Sequence, residues 1–240
     1  MRVDGRVRDE LRPCTIQMGA ISHAEGSCQI ELGDTKVLCV ATVADRVPSW
    51  LHGAESGWVT AEYAMLPRAG KERTPRERGR PAGRSMEIQR LIGRCLRAVV
   101  DLRAVGERTI TVDCDVLQAD GGTRTAAVTG AFVALAEATG ALREERVIRQ
   151  NPIRDLVAAV SVGIVGGEML LDLCYEEDRR AGVDMNLAMC ARGAVIEIQG
   201  TAEGAPFSRQ QMDELVSLGQ QGIQQLVGQQ RDTLGDRLEP

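Results

Sequence analysis

Apolar and polar residues alternate with a period of two between residues 27 and 44. Cys28, Ile30 and Leu32 share one side, and Val37, Cys39, Ala41 and Val43 take it up again after Gly33-Asp34. This pattern predicts a β-hairpin with one buried face. A further strand is predicted over Trp58 to Leu66, after which Pro67 opens a stretch without apolar periodicity as far as residue 88. From there Ile88, Leu91, Ile92, Cys95, Leu96, Val99 and Val100 recur at spacings of three and four, the stripe of an amphipathic helix. Ser85 stands where a cap belongs, Glu87 falls in the first turn and Gly106 marks the end. Ile110, Val112, Cys114 and Val116 alternate with Thr111, Asp113 and Asp115 as a strand; the loop ADGGTRT follows, then an Ala-rich helix from Arg124 to Thr139.

The second half opens near Asn151-Pro152. Its pattern predicts a hairpin, Val157 to Val165 and Glu168 to Tyr175, joined at Gly166-Gly167. An acidic turn from Glu176 to Asp184 leads into a strand pair around Arg192-Gly193. In the last helix Ser208 and Gln211 form a capping box, with Phe207 and Met212 placed as a staple. Each half therefore reads as strands followed by helix, and no repeat of solenoid period is present. The expectation is an α/β (α+β) chain of two related halves, residues 1–140 and a smaller 151–240.

Composition narrows what such a chain can do. Of 240 residues 43% are hydrophobic but only 2% aromatic. The core must be aliphatic, and base stacking on aromatic platforms has little material. The beginning MRVDGRVRDELRP is polar, and nowhere do eighteen apolar residues run together, which predicts a cytoplasmic protein with no membrane partner. Cys14, Cys28, Cys39, Cys95, Cys114, Cys174 and Cys190 are odd in number, lack zinc-site spacings and mostly fall at apolar positions, so they read as reduced core fillers. The net charge of −5 hides a strong asymmetry. Arg68, Lys71, Arg73, Arg76, Arg78, Arg80 and Arg84, against Glu72 and Glu77, make residues 68–84 +5 and the remainder −10.

Three groups of residues are candidates for chemistry. Gly121-Gly122-Thr123-Arg124 stands where a strand gives way to a helix, so free backbone N–H groups, a hydroxyl and a guanidinium can converge on an anion; an ordinary glycine loop has the same sequence appearance. No Gly-Lys-Ser/Thr follows, so it is not a P-loop. Asp178 and Asp184 supply the oxygens a hard divalent ion takes, or belong to a solvated acidic turn; Asp113 and Asp115 either join them or face solvent. The basic stretch can track an RNA backbone or remain a solvated loop. His23 and His52 are the only histidines, which argues against triad hydrolysis.

Seven segments taken together resemble the ribonuclease PH family: HAEGS (23–27), GDTKV (33–37), GWVTAEYAMLPRA (57–69), MEIQRLIGR (86–94), LRAVVDL (96–102), GERTITVDCDVLQADGGTRTA (106–126) and IEIQGTAEGAPFSR (196–209). The resemblance covers nearly the whole chain, and the GERTI to GTRTA run and the ending QGTAEG-x-PFSR are its most specific parts. It implies a ribosomal-protein-like β-α-β fold forming a ring oligomer, a homohexamer built as a trimer of dimers. It implies phosphorolytic trimming of the 3′ ends of transfer RNA precursors and other RNAs, with inorganic phosphate as co-substrate and Mg²⁺ or Mn²⁺ as the metal. By resemblance, phosphate is bound by Arg84, Gly122, Thr123 and Arg124, the metal by Asp178 and Asp184, and RNA by Arg68, Arg73 and Arg76; Arg84, Arg124, Asp178 and Asp184 are the catalytic set. The chain departs from the family in a slightly short basic loop and in Ser85, where Thr is usual. Two rivals remain: a hydrolytic metal-dependent exonuclease, and an inactive ring subunit that only binds RNA.

Overall fold

The computed structural model describes residues 2–76 and 83–238. Among the described residues there are two sheets and five α-helices. Strands β1 (Cys14–Met18), β2 (Gly26–Leu32), β3 (Thr35–Ala44), β4 (Trp58–Met65) and β5 (Thr109–Gln118) form the first sheet in the order β1-β2-β3-β5-β4. The β2–β3 pairing is the hairpin expected from the alternation, turning at Gly33-Asp34, while β4 joins β5 in parallel. The second sheet, β7-β6-β8-β9, is antiparallel throughout: β6 (Val157–Val165), β7 (Glu168–Leu171), β8 (Val183–Cys190) and β9 (Val195–Ala202).

Helix α3 (Thr123–Glu144) lies between the sheets, packed on β2 and β3 on one side and on β6 on the other. This position explains its composition, because a helix covered on both sides has no polar face to keep. It is long and apolar enough to cross a membrane, yet 89% of its most apolar window is buried inside the protein, as befits a core helix. Helix α1 (Gly83–Ala98) packs on β4, and α5 (Arg209–Leu234) covers β6 and β8. Strand β6 is buried on both faces between α3 and α5, and its near-continuous apolar run VAAVSVGIV follows from that. Gln230, fully buried on α5, donates to the Thr129 and Val157 carbonyls and ties helix, helix and strand together. All seven cysteines are free thiols, six buried and Cys14 half-buried.

Several boundaries differ from the sequence expectation. The single helix expected to end at Gly106 is two, α1 and the short α2 (Leu102–Val105). Between them Val100 leaves the helix to pair with Ile153, Asp101 N–H donates to the Pro152 carbonyl, and the Asp101 side chain caps α2. Ser85 does not cap α1; it lies buried inside the first turn, because the helix begins two residues earlier. Helix α3 passes Thr139 and Gly140 to end at Glu144, carried on by Ala, Leu, Arg and Glu, all good helix formers. Strand β7 stops at Leu171, since Asp172 turns the chain with a positive φ of 54°. The expected acidic turn divides into α4 (Tyr175–Asp178), a short link, and the start of β8, which contains Asp184. In the basic stretch, Glu77, Arg78 and Arg80 lie outside the described residues.

Candidate active site

The ends of β4 and β5, the first turns of α1 and α3, helix α4 and the start of β8 surround a cleft of about 880 Å³. Arg84, Gly122, Thr123, Arg124, Asp178 and Asp184 all line it. Residues from both halves of the chain are therefore brought to one place.

The glycine loop is built to present its N–H groups. Gly121 and Gly122 take consecutive positive φ angles of 76° and 63°, which only glycine adopts freely. A Cβ on Gly121 would lie 2.6 Å from the Leu173 carbonyl oxygen and 2.8 Å from the Tyr175 nitrogen, so the loop sits flush against the chain entering α4. Its carbonyls turn into the protein: Gly121 accepts from Thr35 Oγ1 at 2.7 Å and Asp120 from Arg12 Nη1 at 2.5 Å. No side chain caps α3. A 22-residue helix thus opens its unpaired amides and the positive end of its dipole towards the cleft. Buried Tyr63 on β4 donates its hydroxyl to Thr123 Oγ1 at 2.9 Å, and burial raises its pKa, keeping the phenol protonated. The Thr123 hydroxyl hydrogen is thereby left to donate elsewhere.

Arg124 enters from α3 and Arg84 from the first turn of α1. Arg124 Nη1 donates to Gln199 Oε1 at 3.0 Å and stands 3.6 Å from Glu87 Oε1, while Gln199 Nε2 donates to the same Glu87 oxygen at 2.8 Å. Three elements, α1, α3 and β9, therefore fix one guanidinium.

The carboxylates face this cationic wall. Asp184 and Asn186 alternate with buried neighbours on β8 and share its cleft-facing side, and Asp178 ends α4. The Asp178 carboxyl is pushed above its ordinary value, first by loss of solvent and then by the charge of Asp184, with Arg124 and Arg84 pulling in the opposite direction. A repelling pair of carboxylates held by different elements fits a hard divalent ion, which takes oxygen ligands and keeps several waters. Among the described residues no cluster of three or more His, Cys, Asp or Glu is arranged for a metal, so an ion held here would rest on the Asp178 and Asp184 pair and on water. Asp113 and Asp115 are not part of this group. They project from the face of β5 opposite its buried residues and do not line the cleft, and desolvation raises both.

Residues 10–139 match domain 1, and residues 155–222 domain 2, of the 3′ exoribonuclease family. The chain belongs to this family. Within it, the chain is 57% identical to ribonuclease PH of Bacillus subtilis over 99% of its own length and 98% of that protein's, and 56% identical to ribonuclease PH of Solibacter usitatus over 98% and 99%. Among solved structures it is similar to the Archaeoglobus fulgidus exosome with RNA bound to the active site, with a TM-score of 0.81 and 26% identity, covering 94% of this chain and 91% of that one.

In this ribonuclease PH family member the three arginines expected to grip RNA lie outside the cleft lining. Arg68 donates to the Gly70 and Lys71 carbonyls and braces its own loop, while Arg73 and Arg76 are exposed farther along it. Lys71 and Thr74 of the same loop do line the cleft, as do Arg179 and Arg180 after α4. Lys71 pairs with Glu176 at 2.8 Å, closing the loop onto α4. Lys71 belongs to the basic stretch already singled out, but nothing in the sequence marks Tyr63, Gln199, Arg179 or Arg180 as part of the site. Tyr63 and Gln199 stand inside quoted motifs, but nothing local marks them, because their partners come from distant strands and helices.

Proposed function

We infer that this cleft is where the chain carries out phosphorolytic 3′-to-5′ exoribonuclease activity, as a tRNA nucleotidyltransferase that trims the 3′ ends of transfer RNA precursors. The observation that carries the assignment is the uncapped start of α3, with its carbonyls turned away, facing a repelling pair of carboxylates across one cleft. A water-using nuclease has no need of such an anion cradle.

Inorganic phosphate sits on the Gly122, Thr123 and Arg124 start of α3, with Arg84 on its other side. One phosphate oxygen attacks the terminal phosphodiester phosphorus in line with the 3′ oxygen of the preceding nucleotide. The new P–O bond forms as the bond to that 3′ oxygen breaks, and the proton carried by the phosphate passes to the departing oxygen. The products are a nucleoside diphosphate and an RNA shorter by one nucleotide, and the exchange is reversible because one phosphate ester linkage replaces another. Two anions must meet, so the two guanidiniums have to offset their repulsion. Asp178 and Asp184 would hold Mg²⁺ or Mn²⁺, which when bound neutralises charge on the transferring oxygens. No protein nucleophile is needed; burial pushes the Cys14 and Cys95 thiols up to about 12 and raises Cys174 beside the cleft, which keeps these three protonated.

RNA reaches the cleft across the loop of Arg68, Arg73 and Arg76, read through its backbone, since aromatic side chains are scarce. Dividing the chain into 1–140 and 151–240 assigns the phosphate loop to one segment and the carboxylates to the other. The working form is a homohexameric ring, a trimer of dimers, in the cytoplasm with its RNA substrates. Arg124→Ala is expected to lower phosphate-dependent release by about a hundredfold or more, and Asp184→Asn to abolish turnover while leaving RNA affinity within about twofold. Unchanged phosphate affinity in the first, or full activity in the second, removes that residue from the site.

A further inference from the structure

Residues 2–12, before β1, run beneath the active cleft and carry a buried ion-pair network that the mechanism above does not use. Arg12 is 4% exposed and Asp172 fully buried. Arg12 Nε and Nη2 grip the two Asp172 oxygens at 2.9 and 2.7 Å, and the Arg12 main-chain N–H donates to the same carboxylate at 2.8 Å. The remaining nitrogen, Nη1, donates to the Asp120 carbonyl, and Nη2 reaches to 3.5 Å from the Gly121 carbonyl. Alongside, Arg2 holds Glu177 with two bonds, at 2.8 and 2.7 Å, one residue from Asp178. Asp172 itself sits at φ 54°, a conformation that a non-glycine residue keeps only when its surroundings enforce it.

We propose that Arg12 is a positioning residue of the phosphate site: seated on Asp172, it turns the Asp120 carbonyl, and with Thr35 the Gly121 carbonyl, away from the bound anion. The inference rests on the cleft being the phosphate site. Its physical basis is the amide's two faces. A peptide that can rotate offers an anion either a donor or a repelling oxygen, and a cradle binds well only if rotation is prevented. The buried carboxylate orients the guanidinium, and the guanidinium orients the loop. Lysine cannot replace it, since a single ammonium cannot span both carboxylate oxygens and the Asp120 carbonyl.

The test compares the wild-type chain with Arg12→Lys, which keeps the charge opposite Asp172. Phosphorolysis is measured with phosphate and RNA varied separately, and inorganic phosphate binding to the RNA-free protein by calorimetry. The expected result is an increase of about tenfold in the phosphate KM and in the phosphate Kd, with the RNA KM within about twofold. A fall in kcat alone, with phosphate KM and Kd unchanged, would mean that Arg12 only supports folding and overturns the proposal. If Arg12→Lys does not fold, Arg12→Met with Asp172→Asn, which removes both buried charges, is read in the same way. A wild-type protein that binds no phosphate and releases no nucleotide with it defeats the reading of the site itself, and is told apart from an unaffected variant by that control.

Discussion

Asp178 has its carboxyl pressed by the cleft wall and by the charge of Asp184, and both act in the same direction. A carboxyl whose pKa is raised on folding contributes stability at pH values below its unfolded value, and that contribution is lost as pH rises from there through the folded value. Without a divalent ion, the protein is therefore destabilised by this group as pH rises from its ordinary value of 3.8 towards neutrality. Asp178→Asn is expected to raise Tm at neutral pH in metal-free buffer. Added Mg²⁺ should then raise the Tm of the wild type and leave that of the variant where it is. An equal response of both proteins would place the ion elsewhere. The Gly122 to Arg124 run stands inside one of the segments that carry the family resemblance, so it stood out as an anion-site candidate, whereas Asp178 and Asp184 lie in none of those segments and read equally as a solvated acidic turn. Tyr63 was not legible, because its meaning depends on β4 lying beside the start of α3, a relation fixed by the pairing of β4 with β5.

At the scale of elements, local signals were reliable where the element answers to its own sequence. The capping box of α5 is present in both directions, Gln211 N–H to Ser208 Oγ at 3.1 Å and Ser208 N–H to Gln211 Oε1 at 2.8 Å. Ser208→Ala should lower stability by about 1 kcal/mol, measured by denaturant unfolding, with the phosphate KM unaffected. A change in the phosphate KM would show that α5 reaches the site by a route absent from the contacts seen. Signals failed where tertiary partners decide. The apolar stripe runs through Val99 and Val100 without interruption, yet the helix breaks there because Val100 pairs with Ile153 from the second half. Likewise β7 is cut short at Asp172, whose positive φ is enforced by arginines from residues 2–12, some 160 positions away in sequence.

At the scale of the molecule, the chain is acidic overall, and its cleft holds cations and carboxylates in equal number. The cleft lining carries Lys71, Arg84, Arg124, Arg179 and Arg180 against Glu72, Asp120, Asp178, Asp184 and Glu203, so its role comes from the separation of charge and not from an excess. We propose that the outer loop, where Arg73 and Arg76 are exposed, adds affinity through contact with the RNA backbone. The double variant Arg73→Ala, Arg76→Ala should weaken RNA binding and flatten its dependence on log salt by about 0.7 per lost phosphate contact, with the phosphate KM unchanged. An unaltered salt slope would take both arginines out of the RNA path. The mixed α/β character, the hairpins and the Ala-rich helix were readable from alternating and continuous apolar runs, but that α3 lies between two separate sheets was not. Nor was the cleft between the halves, since it exists only once α3 and β6 pack. The most direct test of the account is to incubate the protein and Mg²⁺ with a transfer RNA carrying a short 3′ extension, with and without inorganic phosphate, and to identify what is released. Nucleoside diphosphates are expected, and only when phosphate is present; nucleoside monophosphates released without phosphate would contradict phosphorolysis at this cleft.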